Sequence, residues 1–158
     1  MNIFIKYIER TSFVESVLKR VIKKYICKTK NDVFVIFDKR CSIFGCYGFN
    51  NKKQVHEIRL GVNKNKKLLS KKDLPPSDEK YVFISTLLHE IKHLNQREEM
   101  GKDFWNKDFG LNKNIKNMEL AERYSKCESE AREFEEKNVL KAVEFYDSLM
   151  KNFKKRKP

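Results

Sequence analysis

Tyr81-Val82-Phe83-Ile84-Ser85-Thr86-Leu87-Leu88-His89-Glu90-Ile91-Lys92-His93-Leu94-Asn95-Gln96 is the stretch from which the rest of this 158-residue sequence can be organised. Tyr81, Ile84, Leu87, Leu88, Ile91 and Leu94 recur at the spacing of one helical face and predict a helix over about 79–98 with those residues inward. Pro75-Pro76-Ser77-Asp78 precedes it, and Ser77 or Asp78 can cap its first turn. On such a helix His89 and His93, four residues apart, lie on one face a turn apart.

Two imidazoles so placed can point at one metal ion, and Glu90 then stands beside it, placed to act as general base on an activated water. The pattern therefore predicts a zinc-dependent hydrolase of protein or peptide substrates. A two-histidine, one-carboxylate set also suits iron, cobalt or manganese, so zinc is inferred from ligand type. Two histidines leave a catalytic zinc one protein ligand short. His56 is the only other histidine, and it falls on a predicted strand, where it would line a cleft more readily than ligate. A carboxylate from Tyr124-Ser125-Lys126-Cys127-Glu128-Ser129-Glu130-Ala131-Arg132-Glu133-Phe134 is the better candidate, because Ala131 lets that helix approach the histidine helix closely. Gln96, three residues after His93, falls near the same face, and Tyr47 and Tyr124 are candidate donors to a developing oxyanion.

Around this core the periodicities are simple. Phe13, Val14, Val17, Leu18, Val21, Ile22 and Tyr25 predict an amphipathic helix over about 12–29, capped by Thr11-Ser12 and stopped at Asn31-Asp32. Val33–Phe37, the glycine-interrupted Ser42–Phe49 and the alternating Val55–Val62 predict three strands. Residues 63–78 read as a lysine-rich loop and residues 101–115, with Trp105, as a polar irregular segment. A long final helix is predicted over about 117–153. The expected architecture is α+β: a helix, a three-stranded sheet, the histidine helix and a C-terminal helix, in one domain spanning 1–153, with a basic tail at 154–158.

The net charge of +13 implies attraction to something acidic, whether a protein partner or nucleic acid. Recognisable nucleic-acid motifs are absent, which leaves a basic nucleic-acid-associated protein with a structural zinc as the alternative. Cys27, Cys41, Cys46 and Cys127 show no CxxC spacing and read as reduced thiols. The N-terminus has no signal-peptide core, and no window is long and apolar enough to span a membrane, so a cytoplasmic location in a cell or infected host is expected.

His-Glu-Ile-Lys-His at 89–93, followed by Glu128-x-Glu130-Ala131-Arg132-x-Phe134, resembles the zincin metallopeptidases whose third ligand is a glutamate, in particular the compact ImmA/IrrE-type and related phage or mobile-element peptidases. In that family a later helix carries Glu-x-x-Ala-x-x-Phe, so the resemblance implies a minimal zincin-like domain with zinc on His89, His93 and Glu128, Glu90 as catalytic base and Phe134 packed in the core. A thermolysin-like pattern, with Ala directly after the ligand, would instead select Glu130. The resemblance covers roughly residues 40–136. Lys92 stands where those proteins often have Gly, and Arg132 where an Asp often supports the ligand. The SprT-like zincins, which act on DNA-crosslinked proteins, are similar in the strand pair and Leu-Leu-His-Glu-x-x-His, but use a later histidine that this chain lacks. A zincin-fold protein that binds a partner without turnover would carry the same residues.

Overall fold

Val33, Val35 and Phe37 are buried and alternate with half-buried Asp32, Phe34, Ile36 and Asp38, the two-residue period of a strand with one face in the core. In the computed structural model, which describes residues 1–6, 12–38, 44–61, 77–101 and 118–154, this is β2 (Asp32–Asp38). It follows β1 (Ile3–Lys6) and helix α1 (Ser12–Tyr25) and precedes β3 (Gly45–Asn50) and β4 (Val55–Gly61); helices α2 (Ser77–Met100) and α3 (Met118–Lys154) complete the order.

The fold is α+β, with three helices and a four-stranded sheet in the order β1-β2-β4-β3 among the described residues. β1, β2 and β4 are parallel, in register Val33↔His56 through Phe37↔Leu60. β3 is antiparallel on β4 as an edge strand, pairing Gly45 with Leu60 and Phe49 with His56. The inward rows of β2 and β4 meet Val17, Leu18, Val21 and Ile22 of α1 and Phe83, Ile84, Leu87, Leu88, Ile91 and Leu94 of α2, with Val139, Ala142 and Tyr146 of α3 closing the core.

The expected three-stranded sheet is corrected to four. β1 is only four residues long, too short to show a period, and it is held from outside: Asp32 Oδ1 accepts from the Asn2 backbone N–H at 2.7 Å and its side-chain amide at 3.1 Å, and Val33 N donates to Asn2 O at 2.9 Å. α1 ends at Tyr25, short of the expected 29. Its termination comes from another helix, because the Asn95 side-chain amide donates to Tyr25 O at 3.0 Å while its Oδ1 accepts from Cys27 N at 2.8 Å, replacing the next helical turn. Tyr81, expected inside, is 40% exposed; Phe83 takes the inward position and stacks against Phe37 with ring centroids 6.0 Å apart. Phe134 packs on the core edge-on to Tyr25, at 6.4 Å. Cys27, Cys46 and Cys127 form no disulfide among the described residues. Among the described residues no helix is long and apolar enough to cross a membrane. Cys41, the 63–76 loop, the 102–115 segment with Trp105, the tail from 155 and the side chain of Tyr124 lie outside the described residues.

His56 is fully buried on β4, where Tyr47 Oη lies 2.9 Å from its Nδ1, and Thr29 Oγ1 (3.2 Å) and Glu98 Oε1 (3.1 Å) meet its Nε2. Burial lowers its pKa, against the opposing pull of Glu98. Below its ordinary value of about 6.5, the unfolded chain gains a proton that folded His56 resists, so its contribution is complete above that pH and is lost as the pH falls toward the lowered value. The urea midpoint should therefore drop between about pH 7.5 and about pH 5.5 by more in the wild type than in His56→Gln. Equal drops in the two proteins would remove His56 as the cause.

Candidate metal centre

α2 and α3 pack antiparallel, with Lys80 Nζ bonded to Asp147 at 2.7 Å near one end and Gln96 to the Cys127 carbonyl at 3.0 Å near the other. Fully buried Ala131 stands on α3 between these contacts. With only a methyl group there, the helices close enough for side chains on facing surfaces to share one point.

His89, His93 and Glu128 do so, and among the described residues they form the one group of His, Cys, Asp or Glu side chains able to hold a metal ion. Their donor atoms form a tight triangle. His93 Nε2 lies 3.1 Å from His89 Nε2 and 3.2 Å from Glu128 Oε1, and His89 Nε2 lies 3.4 Å from Glu128 Oε2. Tetrahedral coordination with bonds of about 2.0–2.1 Å puts donor atoms about 3.3 Å apart, so the spacing already suits a small divalent ion.

The outer ring nitrogens fix which way the inner ones point. His93 Nδ1 meets Gln96 Oε1 at 2.9 Å. The Gln96 amide nitrogen is committed to Cys127 O and Glu130 Oε2, both at 3.0 Å, so its oxygen faces His93 as an acceptor and His93 Nδ1 must donate. His89 Nδ1 donates in the same way to Glu135 Oε2 at 3.2 Å, and Glu135 is held in turn by the hydroxyl of Ser85. Both Nε2 atoms are then left with lone pairs aimed at each other and at the Glu128 carboxylate, an arrangement that only a cation relieves. Without a metal, a proton fills that role. Burial alone would lower the His89 pKa, but the Glu128 hydrogen bond and the nearby carboxylates Glu90, Glu128 and Glu135 raise it. Hydrogen bonds from His89 and His93 hold the Glu128 carboxyl far below the usual carboxylate range.

Glu90, the residue after His89, stands about 100° farther round α2, within electrostatic reach of His93, His89, Glu128 and Glu135. It is 5% exposed, and its carboxylate makes no hydrogen bond among the described residues. Desolvation raises its pKa to about 7, against the lowering effect of His93 and His89. It lies against the start of β3, where a Cβ added to Gly45 would come within 2.9 Å of Glu90 Oε1 and 2.8 Å of Thr86 Cγ2. The glycine that interrupts the predicted strand therefore makes room for Glu90.

The structure brings Glu128, not Glu130, to the histidines. Glu130 instead holds Gln96 and lies 3.8 Å from Lys92 Nζ. His56 and Tyr47 bond to each other and stand outside the three-residue group. Sequence reasoning missed Glu135, although it lies seven residues after Glu128 and hence on the same helical face.

Comparison of the chain with family models, curated proteins and solved structures gave no match.

Glu128→Ala should abolish tight zinc binding in a competition assay with a chromophoric chelator. Gln96→Leu and Glu135→Ala, which free the outer ring nitrogens, should each weaken it by roughly 10–100-fold. Glu130→Ala should cost less than Gln96→Leu, because Cys127 O still orients the amide. An unchanged affinity in both Gln96→Leu and Glu135→Ala would contradict the assigned orientation of the rings.

Proposed function

We propose that the chain is a zinc-dependent peptidase of the zincin type, with His89, His93 and Glu128 as ligands and Glu90 as general base. The observation that carries this reading is the convergence of two imidazole lone pairs and a carboxylate on one point, with outer partners that keep both Nε2 atoms unprotonated toward a metal. The donor set fits zinc in type and number, leaving room for a fourth ligand. When bound, such an ion polarises a carbonyl and lowers the pKa of a water molecule.

The chain's own groups supply the rest. Glu90, adjacent in sequence to His89 and shielded from water, takes a proton from the attacking water and delivers it to the leaving amine. Among the described residues no hydrogen bond competes for its carboxylate, which leaves it available for that transfer. An extended peptide suits the site because β3 is an edge strand whose first residue, Gly45, touches Glu90. A segment added along that edge would carry successive backbone carbonyls past the carboxylate, held by main-chain hydrogen bonds that do not depend on side-chain identity.

Metal analysis should find about one zinc per chain in the wild type and none in the His89→Ala/His93→Ala double variant. Stoichiometric zinc in the double variant would rule the site out. Digestion of a broad peptide library should yield cleavage by the wild type that Glu90→Gln lowers by two or more orders of magnitude while retaining zinc. Identical behaviour of the two proteins on every peptide would reject catalysis through Glu90 and leave a metal-binding protein without turnover. Gly45→Ala, which crowds the Glu90 carboxylate, should lower turnover more than zinc content.

A further inference from the structure

Glu90 and Arg97 are seven residues apart on α2, two turns along the same face and about 10.5 Å from one another along the axis. Both are buried, at 5% and 8% exposure. Glu90 touches Gly45 at the start of β3, and the Arg97 guanidinium lies over the Phe49 ring, 4.8 Å from its centroid, near the end of that strand. Gly45 to Phe49 is four residues, about 13 Å of strand. α2 and β3 thus run alongside each other in one direction, and two buried charged side chains of the helix mark the two ends of the edge strand.

Among the described residues Arg97 has no anionic partner. Its Nε is sealed from solvent with no hydrogen-bond partner, and it makes no ion pair among the described residues. The neighbouring carboxylate, Glu98, is turned to His56. A buried guanidinium without a counter-charge is costly, and stacking on Phe49 fixes its plane without using its donors. The fork is therefore preorganised for a planar, two-oxygen anion. The chain's net charge of +13 favours approach of an acidic ligand.

We infer that Arg97 is a carboxylate-binding subsite at the far end of β3, which takes an Asp or Glu side chain of a peptide lying along that edge, about four residues from the bond held beside Glu90. This rests on the peptidase reading above, and it adds a selectivity for acidic sequence that the metal centre alone does not supply. A peptide's terminal carboxylate has the same chemistry, and the test separates the two sources.

The zinc-loaded wild type, Arg97→Gln, Arg97→Glu and Arg97→Lys are each given a peptide library with free and with amidated C-termini, and the cleavage sites are read by mass spectrometry. The wild type should favour Asp or Glu at one position three to five residues from the cut, roughly tenfold over Gln. That preference should persist with amidated termini, disappear in Arg97→Gln, and turn toward Lys or Arg in Arg97→Glu. Arg97→Lys, which keeps the charge, should retain part of it, and zinc content checks that each variant is folded. A preference that vanishes on amidation assigns the subsite to a terminal carboxylate and overturns the side-chain assignment. Cleavage without acidic preference, or a preference unchanged in Arg97→Gln, overturns the subsite altogether. In parallel, a tetraglutamate peptide is titrated into the Glu90→Gln protein while the Arg97 Nε–H resonance is followed by NMR, with tetraglutamine as control. A shift with tetraglutamate alone supports the subsite, and no shift overturns it. This arm decides Arg97 even where the wild type cleaves nothing and the peptidase reading has failed separately.

Discussion

The contact between α2 and α3 at Ala131 is the constraint on which the site depends. α2 supplies Ser85, His89, His93 and Gln96, and α3 supplies Glu128, Glu130 and Glu135, so the metal-binding group and the contacts that orient it draw on both helices. A larger side chain at 131 would wedge them apart, and the seam has no other means of joining Glu128 to the histidines. The apolar packing of Val139, Ala142 and Tyr146 farther along α3 fixes the register at which the acidic half arrives.

α2 is enclosed by the sheet on one side and α3 on another, which explains its unusual composition. Glu90, His93, Asn95, Gln96 and Arg97 are all buried, and buried polar groups need partners. Three of these obligations are met within the protein: Asn95 ends α1, Gln96 bridges His93 to α3, and His93 takes its place in the triangle with His89 and Glu128. Glu90 and Arg97 are the two whose partners are missing among the described residues. Among the described residues Asn95 and Gln96 are hydrogen-bonded, while two charged groups facing one strand are not.

The legible parts of the sequence were those with a clear period. β2, β4, α2 and α3 follow from alternation, composition or helical spacing, and His89 and His93 from a local motif, while the choice of Glu128 over Glu130 comes from the resemblance to glutamate zincins. What escaped depended on partners distant in sequence. β1 is too short to carry a pattern and exists because β2 offers it an edge and Asp32 a clamp. The end of α1 is written in Asn95, seventy residues from Tyr25. Glu135 stood on the correct face but among many glutamates, and only the position of His89 Nδ1 distinguishes it. Tyr47 and His56, each plausible near a metal, are diagonal neighbours on adjacent strands and bond to one another.

The charge of the chain and the charge of the site have opposite signs. The whole molecule carries +13, yet Glu90, Glu128, Glu130 and Glu135 gather around the two imidazoles, with Lys92 beside Glu130. At the separations inside the site, Coulomb interaction with little water between the groups outweighs the screened field of distant surface lysines, which fades over a Debye length of about 8–10 Å. The local surplus of carboxylate therefore governs what enters the seam between the helices, and that is a cation. The net positive charge acts at longer range and favours the approach of negatively charged groups to the surface. Arg97 lies where the two regimes meet: it shares its helix with the carboxylate-rich seam, and its guanidinium lies over Phe49 near the end of β3.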